Sequence, residues 1–184
     1  MTKVKICGLR RIEDATILNR YMPDFAGFVF AKSKRQLEPY EARRIALALD
    51  KRILRVGIFV HSSVAQVITI SSLVGLDVIQ LHADTSGAFF ETLKKELHIA
   101  GLSHVHIWQR IPFPADALSS DVIFERIKDF PDLSLFDALI FDVCTVSSDG
   151  GSGHSFPWST GCAFVDQLPK PHPPVGDSGR FEFG

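Results

Sequence analysis

An apolar run ends on a carboxylate at Asp142, and the chain then turns small and polar as DGGSGHS at 149–155, with Gly150, Gly151 and Gly153 close together. Glycines let backbone N–H groups approach an anion because no Cβ intervenes. Burial of a carboxyl group behind residues such as Leu139, Ile140 and Phe141 favours its neutral, proton-carrying form. A general acid followed by an anion-enclosing loop fits this pattern, and so does an Asp that caps the turn after a strand. The glycine stretch matches neither G-x-G-x-x-G nor G-x-x-x-x-G-K-[ST], which argues against nucleotide binding. Cys7 ends a second apolar run, directly before Gly8. Such a thiol either packs inertly or, opened at a strand's end and supported by dipoles or cations, serves as a base. Arg35, within AKSKRQ, offers a guanidinium suited to a planar carboxylate through two parallel contacts, or is a solvated loop cation. Gln80 and His82 alternate around Leu81, so both face one side of a strand. A hydrogen-bonded structural role suits either of them as well as contact with a ligand. His61 and His154 are weaker candidates, expected to be solvated. Cys7, Cys144 and Cys162 are too few and too scattered for a disulfide framework or a zinc site, so no metal is expected.

These residues sit at the ends of short apolar runs: KVKIC (3–7), FAGFVF (25–30), LRVGIFV (54–60), DVIQLH (77–82), HVHIW (104–108) and FDALIFD (136–142). Each has strand length and the Val, Ile or Phe content of strands buried on both faces. Amphipathic segments lie between them. EPYEARRIALALDK spaces Ala42, Ile45, Ala46 and Leu49 helically, with Pro39 suited to a first turn. SSVAQVITISSLVGL opens on Ser62 or Ser63 as a cap and closes near Gly75. SGAFFETLKKELHIAG and LSSDVIFERIKDF repeat the arrangement. Strand and helix therefore alternate about six times, which predicts an α/β fold with a parallel sheet. In a closed (βα)8 barrel every strand opens on one mouth, whereas an open sheet gathers its ligand groups at one switch point. Candidate groups spread over many strand ends (Cys7, His61, Gln80, His82, Gln109, Asp142) favour the barrel.

The chain has 184 residues, 46% hydrophobic and 22% charged, with a formal net charge of −1, as in an ordinary globular domain. Neither a nucleic-acid footprint nor a membrane span is expected. The start, MTKVKICGLRR, passes straight into a strand pattern without a signal-peptide core, so a cytoplasmic protein with free thiols is expected.

Five motifs, taken together, resemble the phosphoribosylanthranilate isomerase family of tryptophan biosynthesis: KICGL (5–9), GFVF followed by SKR (27–35), VGIFV (56–60), QLH (80–82) and GGSGHSFPW (150–158). They occur in the family's order and near its spacing, over roughly residues 3–168. The resemblance implies a (βα)8 TIM barrel and a cofactor-free Amadori rearrangement of N-(5-phosphoribosyl)anthranilate to 1-(2-carboxyphenylamino)-1-deoxyribulose 5-phosphate. It implies Asp142 as the acid, Cys7 as the base, Arg35 on the anthranilate carboxylate, and Gln80, His82, Gly150, Gly151 and Gly153 around the substrate. A homodimer, or a complex with another tryptophan-pathway subunit, is a further expectation, on which the motifs themselves are silent. Lys34 stands where the family commonly has Pro, His61 where Asn is frequent, and Pro157 where Asp is usual.

The end of the chain departs from that pattern. About 42 residues follow Asp142, and QLPKPHPPVGDSGRFEFG carries no helical period. The expectation is a single incomplete barrel over 1–184 with an irregular tail at 169–184. Six βα units are readable, and strands seven and eight are expected to be largely missing. The loops after those two strands bind phosphate in barrels of this kind, so activity is expected to be impaired. An inactive remnant that binds a partner subunit is the alternative.

Overall fold

A computed structural model describes residues 2–83, 85–114, 119–144, 158–170, 172–177 and 180–182. Six strand–helix pairs follow one another: β1 (Thr2–Cys7) and α1 (Ile12–Tyr21), β2 (Phe25–Val29) and α2 (Pro39–Ala48), β3 (Leu54–Phe59) and α3 (Val64–Val74), β4 (Val78–Leu81) and α4 (Gly87–Ile99), β5 (His106–Pro114) and α5 (Asp121–Ile127), β6 (Ala138–Cys144) and α6 (Trp158–Gln167). Two short strands, β7 (Val175–Asp177) and β8 (Arg180–Glu182), complete a closed barrel.

Helix limits follow from local chemistry. Ser63 rather than Ser62 caps α3, accepting from the Gln66 backbone N–H while the Gln66 side chain reaches back, and Gly75 ends the helix in the left-handed region at φ 71°. Ser86 caps α4 through the Phe89 N–H, and Pro39 opens α2. The α6 segment, with a Gly and β-branched residues inside it, announces itself poorly by propensity. It is held by burial of Thr160, Phe164 and Leu168 on one face.

Strands β1 to β7 run parallel in sequence order, and β8 runs antiparallel to both β7 and β1. This corrects the expectation that strands seven and eight are largely missing and that the tail is irregular throughout. Six parallel strands alone would leave two edges of unpaired N–H and C=O groups. The Pro- and Gly-rich tail satisfies them with two three-residue strands, too short to carry a period legible in sequence.

Period-two alternation separates the core into two layers. Residues facing out, such as Ala26, Phe28, Ile79, Ile107 and Leu139, pack under the helices in one large cluster. Residues facing in, including Phe25, Val56, Val78, Trp108 and Ile140, fill the barrel, with Cys7 packed against them. A charged group lies deep in this layer: Lys5 is buried and donates to Gln80 Oε1 at 2.5 Å across the barrel, with its Nζ 6.0 Å from the Trp108 ring centroid. Removing the acceptor leaves a buried ammonium with one partner fewer. Gln80→Leu is therefore expected to lower the unfolding free energy by about 1.5–3 kcal/mol in urea titrations. Adding Lys5→Met should recover most of that loss, because the uncompensated charge goes with it.

No helix among the described residues is long and apolar enough to cross a membrane. Nor do three His, Cys, Asp or Glu side chains among them cluster in a way that could hold a metal ion.

Candidate active site

Because β1 to β7 are parallel, their C-terminal ends share one mouth, and the inward positions at those ends face a common space. Cys7, the last residue of β1, is half-buried with a free thiol and lies in register with Gly27 of β2. The chain then leaves the strand through Gly8, at φ 90°, whose N–H donates to Gly27 O at 2.8 Å. A Cβ at Gly8 would come within 2.6 Å of Arg35 Cδ, so the Arg35 stem crosses the backbone directly beside Cys7. Two contacts fix the loop that carries Arg35: Leu37 N–H donates to Val29 O at 2.9 Å, and Arg35 N–H donates to Ser33 Oγ at 3.1 Å. Glycine at position 8 thus serves both the turn and the passage of the guanidinium.

Gly27 constrains Cys7 from the other side. A Cβ there would sit 3.1 Å from Cys7 Cα, 3.2 Å from its Sγ and 3.2 Å from Ile58 Cδ1. Gly27→Ala should therefore cost about 1–3 kcal/mol of stability through overpacking. It should also change the alkylation rate of Cys7 in a variant lacking the other two cysteines. Unchanged melting and labelling would mean that β1 yields freely at this point.

On the opposite arc of the barrel, Asp142 lies near the end of β6, buried, two residues beyond Ile140 and on the same inward face. His82, just past β4, brings Nε2 to 2.9 Å from Asp142 Oδ2. Arg110, from β5, brings Nε to 3.6 Å from the same oxygen. Neither contact is aligned as a hydrogen bond, and Oδ2 accepts none among the described residues. A carboxyl near the end of β6 is thus flanked by an imidazole and a guanidinium from the two strands that precede it, β4 and β5.

The structure places the candidates differently. Cys7, Arg35, His82 and Asp142 gather at the mouth. Gln80 faces the same interior but lies deeper, where it is engaged with Lys5. Gly150, Gly151 and Gly153, with His154 and Pro157, lie outside the described residues. Gln109 points outward, accepting from Thr85 Oγ1 at 2.6 Å and donating to Ala83 O at 3.1 Å, so it braces the loop after β4. His61 is exposed at φ 51°, a backbone state that Asn also tolerates. It borders a cavity of about 320 Å³ with Phe59, Leu81, Thr85 and Phe89. That cavity sits among outward-facing residues between the starts of α3 and α4, apart from the mouth.

Sequence reasoning did not single out Lys5 and Arg110. Arg110 was legible in principle: the alternation of HIWQRIPFP continues through Ile111 and Phe113, placing Arg110 on the face of Trp108. The Gln-Arg pair reads instead as the chain leaving the sheet. Lys5 shares a face with Cys7 by the same rule.

Comparison with known proteins agrees with this arrangement. The family described as N-(5'phosphoribosyl)anthranilate (PRA) isomerase matches residues 4–170. An N-(5'-phosphoribosyl)anthranilate isomerase from Clostridium acetobutylicum is 36% identical over 171 residues, covering 93% of this chain and 75% of its own length. One from Acetivibrio thermocellus is 39% identical over 158 residues, covering 86% and 68%. The crystal structure of phosphoribosyl anthranilate isomerase from Thermotoga maritima superposes with a TM-score of 0.73 at 28% identity, covering 97% of this chain and 77% of that one. A phosphoribosyl anthranilate isomerase in complex with reduced 1-(o-carboxyphenylamino)-1-deoxyribulose 5-phosphate superposes at 0.63, with 28% identity, over 78% and 66% of the two chains. The parallel series β1 to β7, the thiol and carboxyl at one mouth, and the match along nearly all of the sequence lead to one conclusion: the chain belongs to the phosphoribosylanthranilate isomerase family.

Proposed function

We propose that this chain is an intramolecular isomerase of tryptophan biosynthesis, converting N-(5-phosphoribosyl)anthranilate to 1-(2-carboxyphenylamino)-1-deoxyribulose 5-phosphate in the cytoplasm. The observation that carries the reading is family membership combined with a thiol at the end of β1 and a carboxyl near the end of β6, both on the inward face of one barrel.

Asp142 gives its proton to the furanose ring oxygen. The C1–O bond breaks, the ring oxygen becomes a hydroxyl, and the anthranilate nitrogen closes a protonated Schiff base onto C1. The carboxylate formed at Asp142 is stabilised by the guanidinium of Arg110, 3.6 Å away in a water-poor site. Cys7, as thiolate, removes the proton from C2, and the enolamine tautomerises to the ketose. Arg35, held beside Cys7 by its path over Gly8, meets the anthranilate carboxylate. The glycines at 150, 151 and 153 enclose the substrate. Acid and base act on bonds within one molecule, so the reaction needs no cofactor.

Phosphate anchoring is the weak point. Only two residues separate β7 from β8, and β8 runs back towards the opposite face. Among the described residues, β8 therefore does not open on the mouth, where the ends of both strands carry the phosphate loops in such barrels. Binding energy from a remote phosphate ordinarily positions the reacting carbon, so turnover should be slow, with a high KM. Incubating the purified chain with the substrate and following ketose formation tests the proposal. Product above the uncatalysed rate, abolished by Cys7→Ala, is expected, and its absence at millimolar substrate would overturn it.

One observation favours a second reading, a partner-binding remnant. The outward face of β1 is uncovered, with Val4 39% and Ile6 45% exposed, whereas Ala26 and Phe28 on β2 are fully buried. A homodimer or a complex with another pathway subunit formed on this face should be lost in a Val4→Lys, Ile6→Lys variant in sedimentation experiments.

A further inference from the structure

We infer that His82 is the group that reloads Asp142 with a proton after each turnover, a role that rests on the isomerase reading above and concerns the same site. Ring opening takes the Asp142 proton, and Cys7 takes the proton from C2. The later tautomerisation moves a proton from the C2 hydroxyl to C1 with no net gain or loss. The product thus holds as many protons as the substrate, while the protein is left with a carboxylate at Asp142 and a thiol at Cys7. Before the next cycle Cys7 must give one proton to water, and Asp142 must receive one.

Asp142 is poorly placed to receive it directly, because its side chain is only 7% exposed. Two side chains approach its Oδ2, His82 Nε2 at 2.9 Å and Arg110 Nε at 3.6 Å. A guanidinium does not surrender a proton in proteins, so Arg110 can stabilise the carboxylate but cannot refill it. Imidazole accepts a proton on one ring nitrogen and releases one from the other near neutral pH. His82 is 20% exposed, which gives water access that Asp142 lacks. The transfer balances: water protonates one nitrogen of the His82 ring, Nε2–H passes its proton to Oδ2, and the ring returns to its neutral form. No hydrogen bond to Oδ2 is formed in this state, so transfer requires the ring to turn into line. Among the described residues, the other titratable or charged groups at this end of the barrel interior are Arg110 from β5, Cys7 from β1, Lys5 engaged with Gln80, and Arg35 from the loop after β2. Of these, Arg110 is the one that approaches the Asp142 carboxyl. His82 therefore acts through Asp142 and not on the sugar.

Two measurements test this. In nitrogen-15 histidine spectra, the His82 Nε2 resonance should shift in Asp142→Asn, a near-isosteric change, more than the Nδ1 resonance does. A His82 Nε2 resonance unmoved by Asp142→Asn would overturn the proposal whatever the turnover. In turnover assays, His82→Ala should lower kcat about 10²-fold with little change in KM, and imidazole added to the buffer should restore part of the loss. The same additive should do nothing for Asp142→Asn. A loss confined to KM and not rescued by imidazole would make His82 a substrate contact and sink the relay. A folded chain in which Asp142→Asn moves the His82 Nε2 resonance, but which turns over no substrate, would sink the isomerase reading alone and leave the proton exchange standing.

Discussion

Asp142→Asn is expected to lower kcat/KM by about 10²- to 10⁴-fold, the range typical for removal of a positioned general acid. The amide keeps the size and planarity of the carboxyl and can still contact His82, so the barrel should fold and melt much as before. What it loses is the one proton needed to open the furanose ring. The effect should therefore fall on kcat, with KM changed little, because the ring oxygen gains its proton only as the C1–O bond breaks. Cys7→Ser should behave similarly, since a hydroxyl at the end of β1 is a far weaker base than a thiolate at neutral pH. Retention of activity within a few-fold in either variant, with native circular dichroism, would remove that residue from the chemistry.

The second large effect is a gain. Replacing everything after Val175 with the seventh-strand loop and eighth βα unit of a relative should raise kcat/KM by about 10²- to 10⁴-fold. Restoring two charge-assisted hydrogen bonds to a phosphate contributes about 3–6 kcal/mol, at about 1.5–3 kcal/mol each, and each 1.4 kcal/mol is roughly tenfold. The chain spans about three-quarters of the length of the Clostridium acetobutylicum relative. Inorganic phosphate should inhibit the grafted chain at far lower concentration than the parent. Equal inhibition of the two would mean that the turn between β7 and β8 already binds phosphate, and that the low-activity expectation is mistaken. The graft also provides a more active background in which Cys7 and Asp142 variants span a measurable range.

How far the sequence could be read varied along the chain for physical reasons. The runs at 25–29 and 54–59 were legible because continuous apolar strands stand out from amphipathic helices. The apolar run stops at Trp108, yet β5 continues to Pro114, because an Arg inside a strand is tolerated only if a side chain from another strand, here Asp142 of the adjacent β6, meets its charge. The strands at 175–177 and 180–182 escaped for a related reason. Three residues carry no period, and what makes them strands is the pair of sheet edges waiting on either side.

The candidate site divides in the same way. By itself, the sequence determined the α/β alternation and the placing of Cys7, His82 and Asp142 at strand ends, because hydrophobic period and strand termini are properties of a few consecutive residues. Only the tertiary structure decided that His82 and Arg110 converge on one oxygen of Asp142, that Lys5 spends its charge on Gln80, 75 residues away, and that the tail closes the ring. Those outcomes depend on barrel closure, which brings side chains remote in sequence within a few ångströms of one another where little water remains to compete for their charges.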